Sequence, residues 1–347
     1  MFPPTVGPAL GVWQDDGVVI RGGRRPTAAP ETDLDAAQRG DGEAFARLTE
    51  PLLAELRAHC YRMLGTLHAA DDALQDTLLW AWRGLPGYEP RRPLRAWVFR
   101  IATNVCLTAL RARSGGGSEL LAGDLSESVE SGALPLDPYP DRLLGDPQRS
   151  AEIGEDVELA FLVALQVLPP RQRAVLLLRD VLDFSAGEVA ELLDTSVAAV
   201  NSALQRARAT CAAERRAGRV ARSHTPGPAG VEAALVRRFA AAWRAADRAA
   251  LARLLAEDAL LTMPPAPTRI LGRDAVIAFL LTVPDPDRPG DFRAHPTRAN
   301  GQPALILYHP DGTDGDLPYA VLVFSMTGEL IASITRFDGQ DLLTEVR

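Results

Sequence analysis

Residues 168–208 read LPPRQRAVLLLRDVLDFSAGEVAELLDTSVAAVNSALQRAR and decide the fold of the middle of the chain. The two prolines near the start suit only the first turn of a helix, so the segment predicts a helix over 171–182. Ser185 with Glu188 three residues later forms a capping-box pattern, which predicts a second helix over about 186–193. We therefore expect two helices separated by a short break.

A turn at Asp194 and Thr195 leads into a predicted third helix with two different faces. Its apolar residues recur at helical spacing and predict a buried stripe: Val197, Val200, Leu204, Ala207 and Cys211. The other face is polar and cationic, with Ser196, Asn201, Ser202, Gln205, Arg206 and Arg208. Donors and cations suit base edges and phosphates, so we interpret this helix as a recognition helix for the major groove of DNA. The alternative is an ordinary three-helix module whose arginines form a solvated face.

Length and composition predict several domains and no membrane span. The chain has 347 residues, too many for one compact domain, and 47% are hydrophobic, enough for several cores. No apolar run reaches the length of a membrane span, and the first residues lack a signal-peptide pattern. Cys60, Cys106 and Cys211 have no paired spacing, which argues against a disulfide framework or a metal site and fits a reducing cytoplasm. The sequence predicts no cofactor.

Charge is arranged in blocks beneath a net charge of −8. Residues 83–113 contain seven arginines and one acidic residue, and residues 196–222 contain six arginines and one acidic residue. Residues 114–156 between them are acidic and rich in proline, which indicates a linker. The pattern predicts two basic surfaces joined by an acidic tether.

Helices are expected to begin at Thr32 or Asp33 and to continue to residue 113. The segment AADDALQDTLLWAWRGL, residues 69–85, has an inward apolar stripe and a separate face with two carboxylates, an amide and a leucine. That face consists of Asp72, Gln75, Asp76 and Leu79. We interpret it as a docking surface for a partner protein. A solvated face whose early acids are favoured by the helix dipole is the alternative.

A loop and a basic helix complete this first part of the chain. The loop over 86–93 reads PGYEPRRP, and the helix over 94–113 reads LRAWVFRIATNVCLTALRAR. The helix is predicted to turn one stripe inward, flanked by Ala102 and Cys106: Trp97, Ile101, Val105 and Leu110. A tyrosine-bearing basic loop beside a basic helix suits single-stranded DNA, because aromatic rings stack on unpaired bases while arginines contact phosphates.

These blocks resemble bacterial sigma factors of the extracytoplasmic-function type. DDALQDTLLWAW followed by RAWVFRIATNVCLTALRAR is similar to the family's N-terminal domain, and residues 168–208 resemble its promoter-reading C-terminal domain. The resemblance implies two partners, core RNA polymerase and promoter DNA, and a linker that runs through the polymerase interior. It implies core-polymerase binding by Asp72, Gln75, Asp76 and Leu79. It implies opening of the minus-ten element by Tyr88, Arg91, Arg92, Arg100 and Asn104. It implies reading of the minus-thirty-five element by Ser196, Asn201, Ser202, Gln205, Arg206 and Arg208.

The last part of the chain, residues 231–347, is predicted to be an α+β domain. Helices are expected over 235–245, 248–255 and 272–282, and strands over 260–263, 304–308, 320–325 and 330–336. The segments LLAEDALLTMPP, ILGRDAVIAFL, TRANGQPALILY and ITRFDG resemble the SnoaL or ketosteroid-isomerase-like cone, which a subgroup of sigma factors carries. The resemblance implies a regulatory domain, and a small-molecule ligand in the cone is left open as a further partner.

Catalysis by this cone would need a pocket carboxylate or histidine as base. The candidates are Asp258 before the first strand, Asp274 at a helix start, and His295 and His309 in loops. No acid and base pair is fixed by their spacing, so the sequence predicts no enzyme.

The predicted fold class is multidomain: two all-α sigma domains, a helical bundle and a helix-turn-helix, followed by an α+β SnoaL-like cone. The predicted ranges are a disordered extension (1–30), a first sigma domain (31–113), an acidic linker (114–156), a second sigma domain (157–217), a linker (218–230) and the cone (231–347). The predicted function is that of a cytoplasmic alternative sigma factor, modulated by its C-terminal domain. A ligand-sensing DNA-binding regulator and an enzyme with a targeting module are the alternatives.

Overall fold

The computed structural model describes residues 32–91, 93–113, 136–144, 162, 165–217, 224–225, 227–264, 266, 268–282, 292–311 and 315–338. The predicted extension over 1–30, Arg92 and parts of both predicted linkers lie outside these residues. Within the described ranges, two helical units are followed by an α+β unit. None of the helices in these ranges is both long and apolar enough to cross a membrane.

The first helical unit contains α1 (Asp33–Gln38), α2 (Gly42–Thr49), α3 (Leu53–Leu64), α4 (Leu67–Gly84) and α5 (Leu94–Arg113). Its helix ends follow the local sequence. The Thr32 side chain caps α1 by accepting from the Asp35 amide, and Thr66 caps α4 through the Ala69 amide. Gly65 ends α3 in the left-handed region, at a φ of 85°, which glycine adopts without strain. The predicted start of the helices at Thr32 is confirmed.

The buried face of α5 differs from the predicted stripe. Three predicted inward residues are only half-buried: Trp97, Ile101 and Val105. Phe99 and the two residues predicted to flank the stripe, Ala102 and Cys106, are fully buried, and Leu110 is buried too. The cause is tertiary, because α5 contacts α3 and α4 on one side and the second helical unit on the other. In this core Cys106 meets Cys60 of α3, and the hydrogen bond between the thiols together with burial raises the pKa of Cys106. Two cysteines without paired spacing are therefore neighbours in the fold.

The second helical unit contains α6 (Pro170–Leu176), which continues as a π-helical turn (Leu177–Val181), then α7 (Ala186–Leu192) and α8 (Val197–Arg216). The capping box of Ser185 and Glu188 is present, and the Ser196 side chain caps α8. The three predicted helices are confirmed. The predicted buried stripe is wrong at Val197, which is 46% exposed. The N-cap Ser196 and the residue after Val197, Ala198, are exposed as well, so within the described ranges the start of α8 is not covered by another element.

The α+β unit contains α9 (Ala229–Arg244), α10 (Arg248–Leu254) and α11 (Arg273–Thr282). Its strands are β1 (Leu255–Thr262), β2 (Arg269–Leu271), β3 (Arg293–Ala299), β4 (Gln302–Asp311), β5 (Gly315–Thr327) and β6 (Leu330–Asp338). They form one mixed sheet in the order β2-β1-β6-β5-β4-β3. Strands β1 and β6 are parallel, and the other neighbours are antiparallel. The predicted α+β class is confirmed.

The sequence does not predict the two edge strands, β2 and β3. Strand β2 has three residues, and β3 reads RAHPTRA, which lacks apolar alternation and includes Pro296. Proline suits an edge strand because it cannot donate to a second neighbour. A usable signal is the dipeptide Asn300-Gly301, which favours a two-residue hairpin turn. Both residues have positive φ, 58° and 70°, and they join β3 to β4.

The central strands of the sheet are buried on both faces. Leu305 and Leu307 of β4 belong to the core that the α+β unit forms with its own helices. Ile306 and Tyr308 alternate with them and belong to the buried cluster of the two helical units. Burial on both faces explains why β5 contains a continuous apolar run rather than an alternating one. The α+β unit is therefore packed against the helical units.

Candidate polymerase and promoter interfaces

The acidic face of α4 is open to solvent. Asp72, Gln75 and Asp76 are exposed, and Leu79 is 41% exposed beside them. His68 approaches Asp72, with its Nε2 atom 3.5 Å from a carboxylate oxygen. The structure thus brings the four predicted docking residues together on one accessible helix face.

Trp80 extends this face, although it is not among the predicted docking residues. Its side chain is 55% exposed, and the guanidinium of Arg83 lies over its ring at 5.6 Å from the centre. A signal was available, because Trp80 falls outside the apolar stripe of α4 and follows Leu79 directly. An exposed tryptophan beside a leucine is typical of protein–protein contact surfaces.

The predicted minus-ten surface is only partly assembled. Arg91 and Asn104 are exposed, and Arg91 Nε lies 3.0 Å from a carboxylate oxygen of Glu89. Arg100 is half-buried and faces the second helical unit. Arg92 lies outside the described residues. The cations predicted to meet DNA together therefore lie in different environments.

Tyr88 lies in a core and not on this surface, contrary to the prediction. Its side chain is 8% exposed, and its ring centre is 5.0 Å from that of Trp97. Its carbonyl accepts a 2.8 Å hydrogen bond from the Gln38 side chain, which fastens the loop to α1. The two rings bury a large apolar area against each other. In this structure Tyr88 is consequently a packing residue.

The predicted minus-thirty-five residues share an exposed side of α8, with two qualifications. Asn201, Ser202 and Gln205 are exposed, as is Arg206. The hydroxyl oxygen of Ser196 is used for capping α8. Arg208 forms a two-pronged ion pair with Asp180, at 2.8 and 2.7 Å. Its side chain is still 60% exposed, so the pair orients Arg208 without enclosing it.

Arg95 of α5 joins the two helical units. Glu55 of α3 holds it through two hydrogen bonds of 3.1 and 2.5 Å. From there Arg95 donates two 3.2 Å bonds to the Leu182 carbonyl of the second unit. Its guanidinium also lies over the rings of Phe99 and Phe184, at 5.1 and 4.7 Å from their centres. One side chain therefore connects α3, α5 and the break before α7.

Arg173 of α6 makes a second, buried connection. It donates to the Met63 carbonyl of α3 at 2.6 Å and to the Leu165 carbonyl at 3.0 Å. Two further bonds of 3.3 Å reach the carbonyls of Gln166 and Leu168. The residue is 2% exposed, and burial lowers the pKa of its guanidinium to about 10. One buried side chain thus donates to four carbonyl groups.

A cleft lies where α5 faces α7. It is lined by Pro93, Ala96, Trp97, Arg100, Glu188, Glu191 and Leu192. Trp97 and Arg100 lie on the helix to which the sequence assigns minus-ten contacts. The second helical unit therefore covers part of that helix.

Residues 136–141 lie between the first helical unit and the α+β unit, and we term them the linker clasp. The Asp137 amide donates to the Gly65 carbonyl at 3.0 Å, and its carboxylate accepts from the Leu67 amide at 3.1 Å. The Tyr61 hydroxyl donates to the Asp137 carbonyl at 2.6 Å. The clasp consequently helps to cap α4, the helix that carries the acidic face.

The other side of the clasp pairs with the turn between β3 and β4. The Asn300 amide donates to the Tyr139 carbonyl at 2.7 Å, and the Tyr139 amide donates to Asn300 Oδ1 at 2.9 Å. Asn300 Nδ2 donates to the Tyr61 hydroxyl at 3.2 Å. All three side chains are buried, so the Tyr61 hydroxyl links the helical unit, the clasp and the sheet. Residues 136–141 of the predicted linker therefore make specific hydrogen bonds to both neighbouring units.

Ion pairs extend the clasp. The Asp141 carboxylate accepts from Arg298 at 3.2 Å and from the Gly301 amide at 2.8 Å. Arg298 also donates to Glu232 of α9 at 2.8 Å, and His224 Nε2 lies 3.2 Å from the other oxygen of that carboxylate. Burial raises the pKa of Asp141, although the bonds from Gly301 and Arg298 oppose the shift. Segments before and after the second helical unit are thus tied to β3.

Three parts of the chain match known protein families: sigma-70 region 2 over 48–115, sigma-70 region 4 over 158–211, and the SnoaL-like domain over 236–339. The extracytoplasmic-function RNA polymerase sigma factor SigG of Mycobacterium tuberculosis is 40% identical over 310 residues, which cover 86% of this chain and 82% of SigG. The chain belongs to the extracytoplasmic-function sigma factors. Its two helical units are the first and second sigma domains, and its α+β unit is the SnoaL-like domain.

Two other sigma factors are also similar to this chain in sequence. SigJ of Mycobacterium tuberculosis is 30% identical over 285 residues, which cover 80% of this chain and 86% of SigJ. SigW of Bacillus subtilis is 27% identical over 179 residues, 49% of this chain and 88% of SigW. The crystal structure of SigJ matches with a TM-score of 0.59 at 23% identity, covering 86% of this chain and 98% of that one. SigJ therefore shares this sigma factor's fold.

The interior of the SnoaL-like domain of this sigma factor is filled by aromatic side chains. The ring centre of Phe239 lies 5.0 Å from that of Phe324 and 6.3 Å from that of Trp243. Trp243 Nε1 donates to the Leu280 carbonyl at 2.6 Å. A shallow cleft lies beside Trp243 and Phe292. The described part of the cone is thus a packed core with a small opening at its edge.

The candidate catalytic residues do not converge on this interior. Asp258 lies within β1 and Asp274 in the first turn of α11, and both are exposed. His295 is exposed on β3, edge-on to the ring of Tyr308 at 5.2 Å. His309 lies on β4. The expectation that both histidines occupy loops, and that Asp258 precedes the first strand, is wrong.

Proposed function

We propose that this chain binds core RNA polymerase through the exposed face of α4 and directs it to promoters in the cytoplasm. The second sigma domain reads the minus-thirty-five element through α8. Promoter opening at the minus-ten element uses Arg91, Arg92, Arg100 and Asn104. The SnoaL-like domain restrains this activity by holding the linker clasp, and no bond-making chemistry is involved.

The observation that carries the proposal is the linker clasp. Family resemblance implies that the linker runs through the polymerase interior, and a segment enclosed between α3 and the β3–β4 turn is unavailable for that path. Release of the clasp would also alter the cap of α4, because Asp137 accepts from the amide of Leu67. The clasp therefore couples the SnoaL-like domain to the helix that meets polymerase.

The packing of the two sigma domains supports the same restraint. Helix α7 faces α5 across the cleft that Arg100 lines, so a promoter strand cannot occupy that side of α5 at the same time. Arg95 and Arg173 hold the domains in this arrangement. Promoter binding consequently selects an open arrangement, and its apparent strength depends on how populated that arrangement is.

The test of the function is promoter-directed transcription with purified core polymerase and the full chain, using promoters selected from a random pool. Specific initiation is the expected result. If the chain neither binds core polymerase nor initiates, the sigma assignment fails. The ligand-sensing regulator would then be favoured if the isolated chain binds duplex DNA.

Replacing Tyr61 by phenylalanine tests the restraint. The change removes the hydroxyl that bonds to Asp137 and Asn300, which weakens the clasp while the ring remains. Because a weaker clasp increases the population of the released arrangement, the loss of two hydrogen bonds should raise the affinity for core polymerase by about threefold to tenfold. The measurement is a titration of labelled sigma factor with core polymerase, followed by transcription from a selected promoter.

Tyr139→Phe is the matched control for this variant. Its ring centre lies 4.7 Å from that of Tyr61, but its hydroxyl makes only a 3.5 Å bond to the Leu143 carbonyl. Its affinity for core polymerase should stay within about twofold of the original, because so long a bond contributes little. Unchanged binding by Tyr61→Phe would show that the clasp does not restrain polymerase binding, and weaker binding would show that the clasp supports it.

Replacing Arg206 by alanine tests the reading of the minus-thirty-five element. Arg206 is exposed on α8 beside Gln205 and Ser202. Loss of a two-pronged base contact should lower promoter-specific initiation by about 1–3 kcal/mol, while holoenzyme assembly stays unchanged. Competition between promoters with intact and scrambled minus-thirty-five elements measures this. Arg238→Ala, which removes an exposed arginine of α9, is the control and should not change promoter-specific initiation. An equal loss of initiation in both variants would contradict the assignment of Arg206.

A further inference from the structure

Val197 is an apolar residue exposed at the start of the recognition helix. It is the first residue of α8 and is 46% exposed, whereas Val200 and Leu204 of the same helix are buried. The three valine and leucine side chains share one helical stripe, so Val197 is exposed because it lies at the start of the helix, beyond the packing that covers Val200 and Leu204. Packing within the described part of the chain gives the exposed Val197 side chain no structural role.

The position of Val197 relates it to the predicted DNA-reading residues. Asn201 and Gln205 follow it at steps of four residues, so the three side chains lie along neighbouring turns of one side of α8. Both polar residues are exposed. Val197 thus continues the polar reading face with a single branched apolar group.

A major groove offers one apolar feature to such a group, the C5-methyl group of thymine. We propose that Val197 contacts the methyl group of a thymine in the minus-thirty-five element and thereby fixes the base at one position. The proposal rests on the proposed function of α8 in reading that element. It adds a specificity-determining residue that the polar and cationic pattern does not include.

The composition of this side of α8 favours DNA over a protein partner. The side chains around Val197 on the exposed side are small or polar: Ser196, Ala198, Asn201 and Ser202. A protein–protein contact surface would place further large apolar or aromatic residues there, as α4 does with Leu79 and Trp80. A single apolar side chain beside hydrogen-bonding side chains instead matches the major-groove edge of an A·T pair, which offers one methyl group beside hydrogen-bonding atoms.

The experiment removes the methyl group from the DNA and the isopropyl group from the protein in turn. Holoenzyme is assembled from core polymerase and the full chain, and a promoter is selected from a pool with a random minus-thirty-five element. Each thymine of that element, on either strand, is then replaced by deoxyuridine. At one position the original protein should lose about threefold to fivefold in initiation. Val197→Ala should show a similar loss on the thymine promoter and no further loss on the deoxyuridine promoter.

Val231→Ala is the matched control, because Val231 is also 46% exposed but lies in the first turn of α9, in the SnoaL-like domain. It should retain the full response to deoxyuridine. The proposal is overturned if no thymine position responds, if the selected element contains no thymine, or if Val197→Ala keeps the response. An equal loss on every promoter would also overturn it and indicate a polymerase contact.

Failure of this proposal and failure of the proposed function give different results. If Arg206→Ala lowers initiation at the selected element but deoxyuridine has no effect, α8 reads the element and Val197 does not contribute. If neither Arg206→Ala nor Val197→Ala changes initiation and the selected promoters share no minus-thirty-five sequence, α8 does not read DNA. Both proposals then fail together.

Discussion

Arg173→Met is expected to lower the free energy of unfolding of the paired sigma domains by about 3–5 kcal/mol. Methionine fills much of the space of the arginine stem but cannot donate a hydrogen bond. The carbonyls of Met63, Leu165, Gln166 and Leu168 would then lose their common donor inside the protein. Buried acceptors without partners carry the full cost of lost solvation, which is larger than the net gain of an ordinary hydrogen bond.

Chemical denaturation followed by circular dichroism measures this effect. The free energy of unfolding of Arg173→Lys should fall between those of the original chain and Arg173→Met, because an ammonium group supplies donors without the planar fork of arginine. Arg215→Met is the control, since Arg215 is exposed near the end of α8 and should change the stability by less than about 0.5 kcal/mol. Equal stability of Arg173→Met and Arg215→Met would show that the buried connection contributes little.

Asp76→Arg is expected to weaken binding to core polymerase by about a hundredfold, because reversing a charge within a complementary interface costs several kcal/mol. Asp76 is exposed on α4, and the described structure gives it no hydrogen bond or ion pair that its loss would break. Folding should therefore be unaffected. Titration of labelled full chain with core polymerase at two salt concentrations measures the change, and the difference should shrink at the higher salt.

Two further variants show whether the loss of binding comes from the charge at position 76. Asp76→Asn removes the charge without reversing it and should lie between the original and Asp76→Arg. Glu257→Arg is the matched reversal in the SnoaL-like domain, where the side chain is 90% exposed, and it should bind core polymerase normally. Unchanged holoenzyme assembly by Asp76→Arg would remove α4 from the polymerase interface.

Local sequence predicts most of the helical elements because short-range chemistry decides them. The capping box of Ser185 and Glu188 and the cap at Thr32 involve residues within four positions, and both are present as expected. The acidic face of α4 is predictable for the same reason, since helical spacing places Asp72 and Asp76 together. Edge strand β3 escapes prediction because its pairing with β4 does not depend on an alternating pattern, although the Asn300-Gly301 turn is a local signal.

The candidate interfaces were predictable only where no second domain approaches them. Asn201 and Gln205 remain exposed as expected, whereas Tyr88 packs on Trp97 and Arg100 faces α7. Neither contact is visible in the spacing of residues along one helix. Arg208 is similar, because its partner Asp180 lies 28 positions away in the sequence. Long-range contacts of this kind redistribute side chains that a local pattern assigns to one surface.

The class of each domain, the helix caps, the acidic face of α4 and the helical span of α8 follow from residue type at short spacing. Tertiary structure alone decided that residues 136–141 form a clasp, that Arg173 is buried between domains, and that Val197 is exposed. These outcomes depend on which surfaces meet across separations such as the 239 residues between Tyr61 and Asn300. No periodicity encodes such a meeting, since it follows from the burial and hydrogen bonding that the whole fold makes available.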